Sequence, residues 1–364
     1  MKNSNIEKKI ILSVIIPVYN TEHYLNRCLD SVINQSIHNI EIICINDGST
    51  DNSLAILKKY QALDSRIRIF DKKNEGLSIA RNIGIANSNG IYVTFVDSDD
   101  FIELNTYELA LNRFTSDDID AVYFSTSLVI EDQHYKEDQE KYYNHKYQGI
   151  VTLTPEVLQT MDVCAWNKIY KLELINKYYI RFPEGLLYED NPFFWSYMLL
   201  SNKVYFMNEK FYNYTIRTNS IMGLTSKRKI KILGKNNNGL DKLLCFEYLL
   251  DFIFKWHLLP KVEPILSYLF EKNLWDGLYY VQKKNRKILL QKATQLVVKF
   301  KLDCIYPRDN FIISLSKKKY HNIKNMNALF LFAWQRLLGV WKNDLYYIIC
   351  FLGIKVKIRI KRKK

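Results

Sequence analysis

Residues 91–100 read IYVTFVDSDD, an apolar stretch of strand-forming residues that runs directly into three carboxylates within four positions. Similar strand patterns precede it at LSVIIPV (12–18), IEIICIN (40–46) and RIRIF (66–70). Apolar residues at helical spacing separate these strands, for example in LSIARNIGIANS (77–88). The alternation predicts an α/β fold with a mixed, mainly parallel sheet flanked by helices.

Polar residues follow three of these strands at the point where each strand ends. They are Tyr19-Asn20 after the first strand, Asp47-Gly48-Ser49 after the second, and Asp97-Ser98-Asp99-Asp100 after the fourth. Ligands of parallel sheets bind at the carboxyl ends of the strands. We therefore expect the three clusters to meet at one edge and to form the binding site.

The acidic tetrapeptide that begins at Asp97 has two interpretations. Asp97 and Asp99 repel each other, and a hard divalent cation with its preference for oxygen ligands would relieve that repulsion. Alternatively, the carboxylates cap a helix N-terminus, where Asp is favoured. A second acidic pair, Glu189-Asp190, precedes the apolar residues FFW, and the alternative to a functional role for this pair is a cap of the helix that follows.

The charge of the chain is unevenly distributed. The 364 residues include 52 Lys+Arg and 38 Asp+Glu, a net charge of +14, and 48% are hydrophobic, which excludes a wholly disordered protein. Residues 1–100 and 101–224 carry −1 and −6, whereas residues 225–364 carry 30 basic and 9 acidic side chains. Amphipathic patterns in this last part predict a mostly α-helical C-terminal region. We predict two domains, 1–225 and 226–364.

The cysteines and the apolar stretches indicate a cytoplasmic protein. None of the six cysteines forms a CxxC motif or accompanies a His cluster, which argues for reduced thiols and against a zinc site. The stretch IILSVIIPVY (10–19) follows two lysines as in a signal peptide, but Pro17 interrupts it and no cleavage site follows. No stretch reaches the ~18 apolar residues of a spanning helix.

The tail KVKIRIKRKK (355–364) has seven basic residues in ten and follows an aromatic, apolar stretch. This combination suits an anionic membrane surface, and the alternative is a solvated basic tail. We expect peripheral attachment to the inner face of the plasma membrane. Nucleic-acid binding is a second hypothesis, but no recognised motif is present and the carboxylates would be unexplained. Nucleotidyl transfer is a third, and no Gly-rich phosphate loop follows the first strand.

The chain resembles glycosyltransferase family 2, the inverting nucleotide-sugar transferases with a GT-A (Rossmann-like) fold. The resemblance covers about residues 11–220 and rests, in this order, on PVYN (17–20), INDGSTDNS (45–53), NEGLSIARNIGIANSNG (74–90), FVDSDD (95–100) and LYEDNPFFW (187–195). It implies a Mn²⁺- or Mg²⁺-assisted transfer of a hexose or N-acetylhexosamine from a UDP-sugar. The implied acceptor is a saccharide or lipid-linked saccharide in bacterial surface polysaccharide or lipooligosaccharide synthesis.

The resemblance also assigns donor-binding residues. Asp47 would accept the imide N–H of uracil; the alternative is a turn Asp. Pro17, Tyr19 and Asn20 would lie around the base; for Tyr19 the alternative is packing at a strand end. Arg81 would lie near the nucleotide, where a guanidinium suits carbonyl or phosphate oxygens; the alternative is a solvated Arg on a helix face.

The remaining roles concern the metal, the diphosphate and the acceptor. Asp97, next to Ser98, would contact the ribose and at times the metal, and Asp99 would ligate the metal directly, while Asp100 would support them or cap a helix. Lys168, unless it is a surface Lys, would offset phosphate charge. Family members often carry a His or Arg after the helix of the acidic pair, which helps to hold the metal or the diphosphate; residues 212–223 contain no His, and Arg217 would contact the diphosphate directly. Asp190, with Glu189 as the second candidate, would be the catalytic base.

Overall fold

The structure is a computed structural model that describes residues 10–131, 145–217, 238–281, 285–306, 341–343, 346–351 and 354–359, the last three segments as backbone only. The chain forms two compact units, residues 1–286 and 287–364. The domain boundary predicted near residue 225 lies outside the described residues and stays a prediction.

The first unit opens with the predicted alternation of strands and helices. Its elements are β1 (Leu12–Val18), α1 (Glu22–Ile33), β2 (Ile40–Asp47), α2 (Ser53–Leu63), β3 (Ile67–Lys72), α3 (Leu77–Ala86) and β4 (Tyr92–Phe95). Every residue of β1 and β2 is buried, as expected for parallel strands covered on both faces. Helix α3 comes so close to β1 that a Cβ on Gly84 would lie 2.4 Å from the Ile15 side chain.

The later elements of this unit extend the sheet and cover it. They are β5 (Phe101–Ile102), α4 (Thr106–Leu111), β6 (Ile119–Ile130), β7 (Gly149–Thr152), α5 (Pro155–Thr160), β8 (Lys168–Lys171), α6 (Leu172–Lys177), α7 (Asp190–Leu200), β9 (Lys203–Ile216), α8 (Asn238–Lys255) and α9 (Leu259–Tyr280). Helix α8 packs against α7 and α9.

The strand order is β3-β2-β1-β4-β8-β6-β9-β5, with β7 paired to β9. The first four strands are parallel, β8 runs antiparallel to both of its neighbours, and β6 and β9 are parallel. The predicted α/β class with a mixed sheet and flanking helices is therefore confirmed. The parallel half places the ends of β1, β2 and β4 at one edge.

The second unit contains α10 (Arg286–Lys299, apart from its first residue) and α11 (Leu302–Ile305). It also contains an antiparallel sheet of β10 (Trp341–Asn343), β11 (Tyr346–Phe351) and β12 (Ile354–Arg359). The helices agree with the predicted C-terminal region, whereas the sheet was not predicted. Its last strand alternates Ile or Val with Lys or Arg, which is a strand period rather than a helical one.

The structure bears on membrane-spanning helices and on the state of the cysteines. Within the described segments, no helix combines the length and hydropathy that a membrane span requires. Each cysteine that the structure describes with its side chain is free of disulfide bonds, namely Cys28, Cys44, Cys164, Cys245 and Cys304.

Candidate active site

The loops that follow β1 and β2 are bound to each other. The Asn20 amide donates to Ser49 Oγ at 3.1 Å, and the Thr50 amide donates to Asn20 Oδ1 at 2.8 Å. Asn20 has a left-handed backbone (φ 51°), which Asn tolerates better than most residues. Asn20 therefore fixes the shape of this edge, and Tyr19 beside it leaves 49% of its surface exposed.

Asp47 is buried at the end of β2 and accepts three hydrogen bonds. Lys72 Nζ and the Glu75 amide donate to Oδ1 at 2.6 and 2.9 Å, and the Gly76 amide donates to Oδ2 at 2.8 Å. Gly48, with φ +70°, allows residues 72–74 to approach, because a Cβ there would lie 2.6 Å from the Asn74 amide. The Asp47 carboxylate thus accepts its hydrogen bonds from residues 72–76 of the same chain. Its predicted contact with uracil stays a prediction.

The tetrapeptide after β4 forms a turn, in which the Asp100 amide donates to the Asp97 carbonyl at 2.9 Å. Strand β5 follows at once, so the helix-cap interpretation is wrong. Asp100 is fully buried and accepts from Tyr212 Oη and from the Thr215 amide, both at 2.7 Å. Burial raises the pKa of Asp100 well above its ordinary value. Its role is to attach the turn to β9.

Asp99 points to a different partner. Its Oδ2 accepts from Arg217 Nε at 2.7 Å, and both side chains are about one fifth exposed. Burial raises the pKa of Asp99, and the Arg217 charge opposes that rise. The predicted metal ligand therefore has a guanidinium as its cation here.

Arg81 lies at the centre of the site. Its side chain is 1% exposed, so the solvated helix-face alternative is wrong. Nη2 donates to Asp97 Oδ1 at 2.8 Å, and Nη1 donates to Asp190 Oδ1 at 2.6 Å and Glu189 Oε1 at 3.0 Å. The guanidinium also lies 5.2 Å from the Phe182 ring centroid. One side chain thus joins the first Asp of the turn to the second acidic pair.

The second acidic pair starts α7 without capping it, because Glu189 at the N-cap makes no side-chain hydrogen bond to the helix. Burial raises the pKa of Glu189 to about 7, with the Asp190 charge adding to the rise and Arg81 opposing it. Burial also raises the pKa of Asp190, again against Arg81. Perturbed carboxylates that share one buried cation are typical of catalytic sites.

Lys168 is fully buried, so the surface-Lys alternative is wrong. Its Nζ donates to Asp162 Oδ1, the Cys164 carbonyl and Asn167 Oδ1 at 3.0, 2.8 and 2.6 Å. These acceptors match its three protons, so a phosphate contact would require one of these bonds to break. The predicted phosphate contact stays a prediction.

Of the other predicted residues, Pro17 lies in β1 opposite Ile45 of β2. Ser98 is buried and accepts from Thr21 Oγ1 at 3.0 Å, which ties the acidic turn to the start of α1. The structure thus brings Asp97 together with Arg81, Glu189 and Asp190, and attaches Ser98 to the β1 loop.

Two supporting residues were missed. Tyr212 Oη accepts from the Asp97 amide at 3.1 Å while it donates to Asp100, and its ring stacks on Trp166 at 4.3 Å. Arg27 Nη2 donates to Thr215 Oγ1 at 2.9 Å and to the Asp99 carbonyl at 3.4 Å. A Tyr in a strand and an Arg in an amphipathic helix carry no sequence signal for such contacts.

Comparisons with known proteins assign the chain to a family. The model of the family "Glycosyl transferase family 2" matches residues 13–179. Glycosyltransferase GlyG of Streptococcus pneumoniae serotype 4 is 30% identical over 227 residues, which cover 58% of this chain and 73% of GlyG. The chain belongs to glycosyl transferase family 2.

Another relative and one solved structure are also similar to this chain. Glycosyltransferase GlyA of the same organism is 38% identical over 218 residues, and the match spans 58% of this chain but only 31% of GlyA. The crystal structure of S. aureus TarS 1–349 in complex with UDP-GlcNAc superposes with a TM-score of 0.53 at 20% identity, covering 80% of this chain and 89% of that one. This likeness supports the GT-A fold.

Proposed function

We propose that this family 2 protein is an inverting glycosyltransferase that moves a hexose or N-acetylhexosamine from a UDP-sugar to a saccharide hydroxyl. The observation that carries the proposal is the contact of Arg81 with Asp97 on one side and with Asp190 on the other. It brings the proposed donor-side carboxylate and the proposed acceptor-side carboxylate to the two Nη atoms of one guanidinium, so that the two substrates of a transfer would meet there.

The donor side consists of the ends of β1, β2 and β4. Asp47 and the half-exposed ring of Tyr19 are the proposed uracil contacts, and uracil rather than cytosine offers an imide N–H to a carboxylate. TarS, which shares the fold, binds UDP-GlcNAc. That agrees with a uridine donor and leaves the sugar itself open.

Asp97 and Asp99 offer the kind of ligand atom that a divalent cation binds, but two carboxylates are too few to complete its coordination. Both offer carboxylate oxygens, as Mn²⁺ and Mg²⁺ prefer. Among the residues that the structure describes, no three His, Cys, Asp or Glu side chains are grouped so that they could hold a metal ion by themselves. The other ligands would therefore be diphosphate oxygens and water. Such an ion would neutralise the charge that develops on the departing diphosphate.

On the acceptor side, Asp190 is the proposed base and Glu189 the second candidate. The acceptor hydroxyl gives its proton to the carboxylate as its oxygen bonds to the anomeric carbon. The bond from that carbon to the diphosphate oxygen breaks, and UDP leaves from the opposite face. A single displacement of this kind turns an α-linked donor into a β-linked product without a covalent enzyme intermediate.

We also propose a cellular process and a membrane location for this transfer. A role in bacterial surface polysaccharide or lipooligosaccharide synthesis would place the acceptor at the inner face of the plasma membrane. The basic residues 355–364 are the proposed attachment to anionic lipid. Removal of residues 340–364 should abolish salt-sensitive binding to anionic liposomes, and unchanged binding would contradict the attachment.

The test incubates the protein with Mn²⁺ and each of several UDP-sugars and measures UDP release with and without saccharide acceptors. We expect metal-dependent release for a subset of donors, faster with an acceptor. Asp190→Asn should lower transfer by about 10²–10⁴-fold while UDP affinity persists, and the matched control Asp64→Asn should transfer normally. Normal transfer by Asp190→Asn would overturn the base, and no release from any donor would overturn the function.

A further inference from the structure

Helix α8 lies beyond the residues that the family model matches, yet it holds the chain just before the proposed base. Asp241 Oδ2 accepts from the Leu187 amide at 3.2 Å, and the Cys245 thiol donates to the Leu187 carbonyl at 3.2 Å. Asp241, Cys245 and Leu187 are all at least 95% buried. Both backbone polar groups of Leu187 are therefore bound by side chains from two successive turns of α8.

The next residue, Tyr188, is strained. Its φ of +67° lies in the left-handed region, which a bulky aromatic residue rarely adopts. Such a conformation persists only where the surroundings over-determine it. Lys242 supplies part of that constraint, because its Nζ lies 3.8 Å from the Tyr188 ring centroid and its side chain is only 12% exposed.

The turn at Tyr188 leads straight into the acidic pair. The Tyr188 carbonyl accepts from the Asn191 amide at 3.1 Å, and Glu189 and Asp190 then reach Arg81. If the turn relaxed to a right-handed conformation, the direction of the chain into α7 would change. The two carboxylates would then lose their alignment with the guanidinium.

We propose that Asp241, Lys242 and Cys245 are positioning residues, which hold residues 187–188 in the left-handed turn that aims Glu189 and Asp190 into the active site. The inference rests on the proposed function only for its effect on catalysis. The contacts of α8 with the turn are independent of which sugar is transferred. A displacement of about 1 Å at a reacting group lowers a rate by as much as ~100-fold, so a small relaxation is enough.

The test compares Asp241→Ala with the conservative Asp241→Asn, which keeps an acceptor oxygen, and with the control Asp251→Ala on an exposed position of the same helix. Hydrogen–deuterium exchange of residues 186–192 is the first readout and needs no substrate. We expect faster exchange there in Asp241→Ala, near-normal exchange in Asp241→Asn, and no change in β1 and β2. Unchanged exchange at residues 186–192, or equal acceleration throughout the first unit, would overturn the inference.

The second readout is kinetic. Asp241→Ala should lower kcat by about 10–100-fold with UDP affinity, measured by calorimetry, unchanged, and Asp241→Asn should recover most of kcat. A parallel loss of UDP affinity would show general destabilisation and overturn the positioning role. If the wild type transferred no sugar while the exchange pattern appeared as expected, the proposed function would fail and the constraint of the turn by α8 would stand.

Discussion

Replacement of Arg81 by Met is the most informative perturbation of this site. Met keeps much of the side-chain volume in the buried position but removes the cation that Asp97, Glu189 and Asp190 share. Loss of one partner from a buried ion pair costs about 3–5 kcal/mol, because the remaining charge is left uncompensated. We expect a loss of this size in the free energy of unfolding at pH 8.

The loss should shrink as the pH falls. An acid whose pKa is higher in the folded than in the unfolded state destabilises the fold increasingly as the pH rises between those two values. In the wild type the pKa of Glu189 rises from its ordinary value of 4.5 to about 7. The ionised side chain therefore lowers the free energy of unfolding by about 3 kcal/mol above neutrality. Without Arg81, which lowers both pKa values, Glu189 and Asp190 would take up protons at still higher pH. Near pH 5 the loss in the free energy of unfolding should therefore fall to about 1–2 kcal/mol, which is what the hydrogen bonds of Arg81 contribute in the wild type once the carboxyl groups are neutral.

The assay is urea unfolding followed by circular dichroism at pH 8 and pH 5. Arg81→Lys, which keeps the charge but not the planar fork of donors, should lose less than Arg81→Met at pH 8. The control Arg66→Met removes a partly buried ion pair to Asp64 and a hydrogen bond to the Ile33 carbonyl, both away from the site, and should cost about 2 kcal/mol. A loss from Arg81→Met that does not depend on pH, or that equals the loss from Arg66→Met, would refute the shared-cation argument.

Two further predictions concern pH and metal. Because burial raises the pKa of Asp190, the proposed base, the acidic limb of kcat/KM should lie well above the ordinary pKa of an Asp carboxyl; a limb near pH 4 in a pH–rate profile would contradict this. Arg217→Gln frees Asp99, so Mn²⁺ should bind the nucleotide-free protein about fivefold more tightly, as expected for a pair worth ~1 kcal/mol. Titration by electron paramagnetic resonance measures this, and equal or weaker affinity would show that Arg217 does not compete.

The parallel half of the sheet was predictable because its signal is local. Buried, β-branched residues mark Leu12–Val18 and Ile40–Asp47 almost to the residue, and polar residues mark the strand ends. The family resemblance added the acidic pair at Glu189. The rest of the sheet, in which the 14-residue β9 pairs in parallel with β6 and antiparallel with β5 and β7, depends on long-range pairing that periodicity does not encode.

The environment of the basic residues was not predictable. Arg81 occupies a helix whose apolar spacing is equally compatible with an exposed Arg, and its three partners follow 16, 108 and 109 residues later. Lys168 has the same ambiguity, since a Lys in a short strand carries no mark of the buried Asp162 that binds it. Partner identity is a property of the tertiary structure, and no local pattern contains it.

The position of Arg81 also links the two halves of the proposed reaction. The charge of Asp97 raises the pKa of Asp190, although less than burial does. A cationic ligand at Asp97 would neutralise that charge, and Arg81 would then serve Glu189 and Asp190 alone. Both effects lower the pKa of Asp190, so a divalent cation that binds at Asp97 together with the donor would keep the base ionised. Since kcat reports the substrate complex and kcat/KM the free enzyme, the acidic limb of kcat should lie below that of kcat/KM in the same profile. Coincident limbs would mean that the two sides titrate independently.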